Sequence, residues 1–251
     1  MNDIAVAREG DYVAVVRLCR PPNNFFDTEL LAALADAYEE LSSNGWCRAI
    51  VLASEGRNFC AGLDFAGNAH QDIAALYGQA VRLFAAPLPV IAAVQGAAVG
   101  GGFGLALSAD FRVATPASRF SANFARLAFH HGFALSVTLP LVAGPQHAAD
   151  LLYTGRRIGG TEALAMGVCD ELVDDEEELL SAALRRAGAI AESGPLAVRS
   201  IRGTLRLGRV ESVELALERE CAEQERLRVT TDFAEGVAAT AERRPPHFTG
   251  S

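Results

Sequence analysis

The sequence predicts an α/β fold that is strand-rich in its first part and almost wholly helical after about residue 145. Three observations carry this expectation. Short β-branched runs alternate with stretches of helical period up to that point. A glycine cluster follows one of the strands and opens a helix. Beyond it, nearly every segment has the period of a helix.

The first elements are the runs 12–19 (YVAVVRLC) and 48–54 (RAIVLAS), both strands by composition. Between them, 28–42 places Leu30, Leu31, Leu34, Tyr38 and Leu41 on one helical face, with Asp27 as the N-cap. A strand at 89–94 leads into the glycines, a helix spans about 101–108, and strands follow at 111–115 and 119–123. Strands alternating with helices imply parallel pairing through helical crossovers. Helices are expected at 146–153, 161–167, 175–192, 195–207, 210–229 and 232–244. Asp232 and Glu235 have capping-box spacing, and Asp174 to Glu178 put negative charge where a helix start favours it. The tail from Pro245 cannot continue a helix.

Composition narrows the function. Half of the 251 residues are apolar and 21% charged, an ordinary globular balance. The net charge of -9 makes nucleic acid and membrane surfaces poor partners. All 22 basic residues are arginine. That removes a Schiff-base lysine, a pyridoxal-phosphate attachment and a P-loop lysine. The cysteines, Cys19, Cys47, Cys60, Cys169 and Cys221, are scattered, odd in number and without metal-ligand spacing. Neither a metal site nor a disulfide framework is expected. The start of the chain lacks the apolar core of a signal peptide, and no long apolar span occurs, so a reducing cytoplasm is the expected compartment.

Two glycine loops carry the chemistry. In 94–105 (VQGAAVGGGFGL), three consecutive glycines open an apolar helix. Their N–H groups are open to close approach and sit at the positive end of that helix. An N–H there can stabilise a developing oxyanion. The blander reading is tight helix–strand packing. The segment 57–65 (RNFCAGLDF), directly after a strand, is a second glycine turn and could be a plain one. Paired with the first loop, it makes a two-donor oxyanion hole.

The pair RNFCAGLDF and GAAVGGGFGLALSADFRVAT, some forty residues apart, resembles the signature of the enoyl-CoA hydratase/isomerase (crotonase) family. The resemblance continues through RPPNNFFD (20–27), 151–173 and 232–248, nearly the whole chain. It implies a crotonase-like ββα-superhelix core over 1–192 and a helical region over 193–251 that packs a homotrimer or a dimer of trimers. It implies an acyl-CoA thioester as ligand, with coenzyme A part of the substrate and no covalently bound cofactor. By motif, the carbonyl would accept the backbone N–H groups of Leu63 and Gly101. The loops holding Arg20, Phe25, Arg57 and Phe65 would meet the coenzyme, with arginine serving its phosphates. For Arg20 and Arg57, a solvated surface charge is the competing reading.

The sequence departs from the family where hydratases carry two catalytic glutamates. Gly104 stands at the first position, and Asn123 and Phe124 at the second, normally a Pro-Glu pair. No Asp or Glu occurs between Asp110 and Asp150. General acid–base catalysis contributes about 10²–10⁴-fold, so simple hydration is in doubt. His130 and His131, on a loop that in the family passes the substrate, are the candidate replacements; the alternative is that they cap a turn or face solvent. Tyr77 and Phe124 are expected to line the acyl pocket. Asp64 reads as structural, and His70 and His147 as surface. The alternative to an enzyme is a binding or assembly relative that keeps the fold without catalysis. A serine hydrolase is disfavoured, since no G-x-S-x-G elbow exists.

Overall fold

The computed structural model describes residues 3–64 and 72–251. Phe65 and His70 lie outside the described residues. The expected strands appear as β2 (Val13–Leu18), β3 (Ala49–Ser54), β4 (Val90–Val94), β6 (Phe111–Ala114) and β7 (Arg119–Ser121). Sequence reading left out β1 (Ile4–Glu9), an edge strand whose side chains are mostly exposed, so its apolar signal is weak. Three more were left out: β5 (Ala97–Val99), β8 (Arg157–Gly159) and β9 (Glu171–Leu172), too short to show a period.

The larger sheet runs β1-β2-β3-β4-β6-β9, with β1 antiparallel to β2 and the later pairs parallel. Its strands alternate between two cores. Ala14, Val16, Leu18, Ile50 and Leu52 face the main core, while Val13, Val15, Val51 and Ile91 face a second one. The second core is covered by α6 (Glu176–Ala191), which offers Leu179, Ala182, Ala183 and Ala187. The smaller sheet, β5-β7-β8, lies on the other side of the main core. Helices α1 (Thr28–Ser43), α2 (Ile73–Ala85) and α3 (Gly101–Ser108) fill the space between.

Asp27 caps α1 by accepting the N–H of Leu30 at 2.8 Å, and Asp175 caps α6 through Glu177 and Glu178. The helix expected from 146 is the second half of α4 (Leu135–Thr154), which kinks at Gly144 beside Pro145. The chain then passes through α5 (Gly160–Ala165). The expected capping box at Asp232 is not formed. Thr230 caps α9 (Thr231–Glu242) instead, and Asp232 accepts the N–H groups of Thr249 and Gly250 from the returning tail.

The late helices α7 (Pro195–Leu205) and α8 (Arg209–Arg228) differ in how they attach. On α7 the buried residue is Arg202, while Leu196, Ile201 and Leu205 are exposed. On α8 the buried stripe is Val213, Leu217, Glu220 and Gln224. The apolar pattern pointed to Cys221 and Leu227 as part of that face. The chain buries two polar residues there, because hydrogen bonds to α2 and to the turn before α4 satisfy them. No helix among the described residues is long and apolar enough to cross a membrane.

Candidate active site: a glycine-walled cavity

Three loops meet at the C-terminal ends of the parallel strands. They are 20–27, 57–64 and 94–101, and backbone hydrogen bonds stitch them together. Cys60 donates to Ala97 O at 3.1 Å, Val99 donates back to Cys60 O at 3.0 Å, and Phe26 donates to Gly62 O at 3.0 Å. The approach is so close that side chains are excluded. A Cβ on Gly102 would lie 2.1 Å from the Cys60 carbonyl oxygen, and one on Gly101 would lie 2.4 Å from the Phe26 ring. Gly62 adopts φ +81°, and its Cβ would press on Val99 O and Gly101 N. The glycines flagged from sequence are therefore packing glycines, and that same packing brings Leu63 and Gly101 together. Gly101 is the first residue of α3, and its N–H has no acceptor inside the helix. Among the described residues, neither that N–H nor the N–H of Leu63 meets a backbone acceptor.

Leu63 and Gly101 both line a cavity of about 310 Å³. Phe25, Tyr77 and Phe124, all expected at the site, line it as well. Its walls are mostly aromatic and aliphatic, and Phe26, Leu127, Phe129 and Phe133 complete the apolar part. Gln224 of α8 and Val237 and Thr240 of α9 close one side, so the last third of the chain shapes the cavity. Sequence reading missed Gln224, Phe133 and Asn123 as lining residues. Gln224 belongs to a helix whose distance from the glycine loops is invisible in sequence, and Phe133 lies in a turn without period.

At Gly104, where the resemblance places the first family glutamate, there is no room for a side chain. A Cβ on Gly104 would lie 2.6 Å from Phe133 Cβ, and Phe124 also lines the cavity. Phe133 is held by an unusual turn: it and Ala134 have φ of +60° and +56°. Such values cost non-glycine residues about 1–2 kcal/mol each and persist only where the surroundings enforce them. Here the buried Glu220 enforces them. Its carboxylate accepts the N–H of Ala134 at 2.8 Å, the N–H of Ser136 at 3.2 Å and the Ser136 hydroxyl at 2.6 Å. Gln224, one turn on, donates to the His130 carbonyl and accepts the Tyr77 hydroxyl, each at 3.0 Å.

His130 and His131 do not line the cavity. They stack on each other with ring centroids 4.2 Å apart, and His131 Nε2 lies 3.7 Å from Glu220 Oε1. Burial draws the His131 imidazole down to about 4, helped by His130. Burial pushes the Glu220 carboxyl up to about 7, against the pull of its donors. Near neutral pH the contact is therefore between a neutral imidazole and a carboxyl group, not an ion pair. Tyr77 is pushed above the ordinary phenol range, chiefly by burial, and stays protonated. The titratable residues lining the cavity, among the described residues, are Asp64 and Tyr77.

The two arginines expected at the coenzyme differ. Arg20 is tied to Asp27 at 2.6 Å and to Asp3 at 2.5 Å, so its charge is already compensated. Arg57 is exposed, and no ion pair holds it among the described residues. No cluster of metal-ligating side chains occurs among the described residues.

Comparisons with known proteins show the family of the chain. The enoyl-CoA hydratase/isomerase family model matches residues 8–251. A probable enoyl-CoA hydratase of Bacillus subtilis (strain 168) is 32% identical over 258 residues, covering 100% of both chains. The 1,2-epoxyphenylacetyl-CoA isomerase of Escherichia coli (strain K12) is 30% identical over 250 residues, 95% of each chain. The crystal structure of an enoyl-CoA hydratase/isomerase from Pseudoalteromonas atlantica T6c superposes with a TM-score of 0.89 at 28% identity, over 99% of this chain and 100% of that one. With its crotonase-like α/β fold, the chain belongs to the enoyl-CoA hydratase/isomerase family.

Proposed function

We propose that this protein binds an acyl-CoA thioester in the 310 Å³ cavity and polarises its carbonyl between the N–H groups of Leu63 and Gly101. The observation that carries the reading is that Leu63 and Gly101, whose N–H groups meet no backbone acceptor among the described residues, line one apolar cavity. Two fixed donors there stabilise an enolate or tetrahedral oxyanion far better than water does, because they need no reorganisation. The apolar wall takes the acyl chain. Coenzyme A enters as part of the substrate, and exposed Arg57 is the cation we assign to its phosphates.

Water addition is not the reaction we favour. Phe133 fills the space a glutamate at position 104 would need, and Phe124 replaces the other carboxylate. A reaction that moves a proton at the acyl carbons has the Asp64 carboxylate to use, since it lines the cavity and the histidines do not. Isomerisation or C–C cleavage through a thioester enolate fits this arrangement. The second reading, a non-catalytic acyl-CoA-binding relative, is favoured by the same aromatic filling.

Calorimetric titration with CoA, crotonyl-CoA and longer acyl-CoAs, followed by assays for hydration and α-proton exchange, separates these readings. Thioester binding with proton exchange that Asp64→Asn abolishes and His131→Ala spares supports the enzyme reading. Exchange lost in the histidine variant alone returns the base to the 130–131 loop. Binding without turnover supports the non-catalytic relative.

We also propose that residues 193–251 mediate self-association into a trimer or a dimer of trimers. Leu196, Ile201, Leu205 and Leu207 are exposed on and just after α7, and such a cluster marks an interaction surface. Sedimentation equilibrium tests it. We place the protein in a reducing cytoplasm, on the scattered cysteines that carry no disulfide.

A further inference from the structure

A second cavity, of about 750 Å³, shares no lining residue with the first. The two lie at opposite ends of α3, where Gly101 lines the first and Leu107 the second. Helices α4, α6 and α7 supply much of the second wall. One part of it is apolar, with Leu141, Val142, Val198, Ile201 and Leu205. Another part is arginine, in a chain whose net charge is -9. The arginines differ in what compensates them. Arg112 is tied to Asp170 at 2.6 Å and Arg186 to Glu171 at 2.9 Å. Arg202 and Arg206 share a single carboxylate, that of Asp110. No ion pair holds Arg209 among the described residues. It opens α8, whose start has no side-chain cap and so adds partial positive charge. Arg202, Arg206 and Arg209 therefore meet one acid in this wall.

The sharing leaves Arg202 incomplete. Its Nε donates to Asp110 and its Nη1 to the Ala86 carbonyl, while Nη2 is buried without an acceptor among the described residues. The side chain is only 10% exposed, so water does little to complete it. Buried guanidinium groups are ordinarily paired and fully hydrogen-bonded, because an uncompensated buried charge is costly. Arg206 shows the same shortage: burial, with Arg202 and Arg209 nearby, draws it down against the pull of Asp110. One further negative group would answer all three arginines. Among the described residues, Asp110 is the one acid lining the cavity, so that group has to come from outside this wall.

We propose that this cavity binds an oxyanion carried on an apolar body, a medium-chain carboxylate or alkyl phosphate, with the head on Arg202, Arg206 and Arg209 and the chain along Leu141, Val198 and Ile201. Guanidinium groups match the oxygens of either head with paired N–H donors. A bare inorganic ion would leave the apolar wall wet, and an uncharged chain would desolvate the arginines without answering them. The volume falls within the about 300–1,000 Å³ of small-molecule sites. The inference stands apart from the acyl-CoA reading, since it uses no residue of the first cavity. Ile201 and Leu205 also belong to the cluster we assign to self-association, so the test follows the oligomeric state as well.

The test is calorimetric titration of the full chain and of Arg209→Ala with octanoate, octyl phosphate, inorganic phosphate and octan-1-ol. Arg209 is the residue to change, because Arg202 and Arg206 also hold α7 to Asp110. The full chain is expected to bind octanoate or octyl phosphate about tenfold more tightly than either octan-1-ol or inorganic phosphate, the equivalent of ~1.4 kcal/mol. In Arg209→Ala the advantage over octan-1-ol is expected to fall to about twofold or less. Octanoate ahead of octyl phosphate identifies a carboxylic acid, and the reverse order a phosphate ester. Octan-1-ol or inorganic phosphate binding as tightly as the amphipathic anions overturns the site, and so does an advantage that survives Arg209→Ala. Anion binding that crotonyl-CoA displaces belongs to the first cavity and overturns it too. Sedimentation equilibrium decides between a small ligand and a second copy. If Arg209→Ala dissociates the assembly and the full chain takes up neither anion, the arginines serve a carboxylate of another copy and the proposal fails. Thermal melting checks the fold, and if Arg209→Ala unfolds, Arg209→Gln supplies the ratio.

Discussion

The β-rich part of the molecule and its late helices hold their shape by different means. Around the glycine loops, backbone packs on backbone: Gly62, Gly101 and Gly102 bring three loops within a distance no side chain allows. The late helices are anchored by buried ionisable side chains. Asp110 receives both Arg202 of α7, at 3.0 Å, and Arg206 just beyond it, at 2.7 Å, while Glu220 of α8 holds the turn before α4. One wall of the cavity is therefore backbone packed on backbone, and it carries the two N–H groups that we propose meet a thioester carbonyl. The other is built from side chains of helices distant in sequence, and in the proposed reading it selects the acyl group. A family can keep the first wall and vary the second.

The sharpest way to break that division is to remove a charge anchor. Asp110→Ala leaves the Arg202 and Arg206 guanidinium groups, 10% and 8% exposed, without their carboxylate. Burial, with Arg202 and Arg209 nearby, already draws Arg206 down to about 10 against the pull of Asp110. Removing one member of a buried pair costs about 3–5 kcal/mol. Denaturant unfolding followed by circular dichroism should show that loss. A loss under ~1 kcal/mol would mean that α7 is held by something other than these pairs.

Next comes the glycine wall. Gly102→Ala forces a methyl group against the Cys60 carbonyl, a backbone atom that cannot swing away. Overpacking of this kind costs about 1–3 kcal/mol, and acyl-CoA binding should fall with stability, because Leu63 lies three residues beyond Cys60 on the displaced loop. Normal ligand affinity in a folded Gly102→Ala protein would show that the wall tolerates spreading.

Glu220→Ala sharpens the comparison from the other side. It strands the N–H groups of Ala134 and Ser136 and releases the turn that holds Phe133 in the cavity, a loss of about 1–3 kcal/mol. We expect acyl-chain selectivity to broaden while affinity for CoA itself is retained, read by titration with a chain-length series.

A smaller effect is a pair of opposing pH slopes. Glu220 is raised in the folded state from 4.5 to about 7, so its contribution is full below 4.5 and lost as pH rises through 7. His131 is lowered from 6.5 to about 4, so its contribution is full above 6.5 and lost as pH falls through 4. Between about pH 4.5 and 6.5 the folded state keeps one proton on Glu220 and the unfolded chain keeps one on His131, so the two slopes cancel. His131→Asn should leave a protein whose stability falls from pH 4.5 to 7, and Glu220→Gln one whose stability rises from pH 4 to 6.5. Parallel slopes in the two variants would refute the assignment. The smallest expected effect on folding is that of Leu205→Asp, exposed at 75%, which should lower the oligomeric state in sedimentation without shifting the melting temperature.

Much of the fold was legible because it is local. The β-branched, almost wholly buried runs of β2 and β3, the leucine face of α1 capped by Asp27 and the glycine start of α3 each follow from a few neighbouring residues. The resemblance placed Leu63, Gly101, Tyr77 and Phe124 at one cavity, and the structure brings all four there. The histidines read differently in space, because a residue's distance from a cavity is not a property of its own segment. His131 turns toward Glu220, about ninety residues later in the chain.

The amino-acid sequence by itself determined the arginine-only cation set, the strand and helix periods, the glycines at the loops and the missing carboxylates at Gly104 and Phe124. Tertiary structure alone decided that Phe133 packs against Gly104, that Arg20 is spent on Asp3 and Asp27, and that Gln224 and Glu220 are buried while Leu205 is not. The physical reason is that period and propensity act over one or two turns of chain. Which polar groups find partners, and which apolar ones stay bare, is settled by contacts between segments a hundred residues apart.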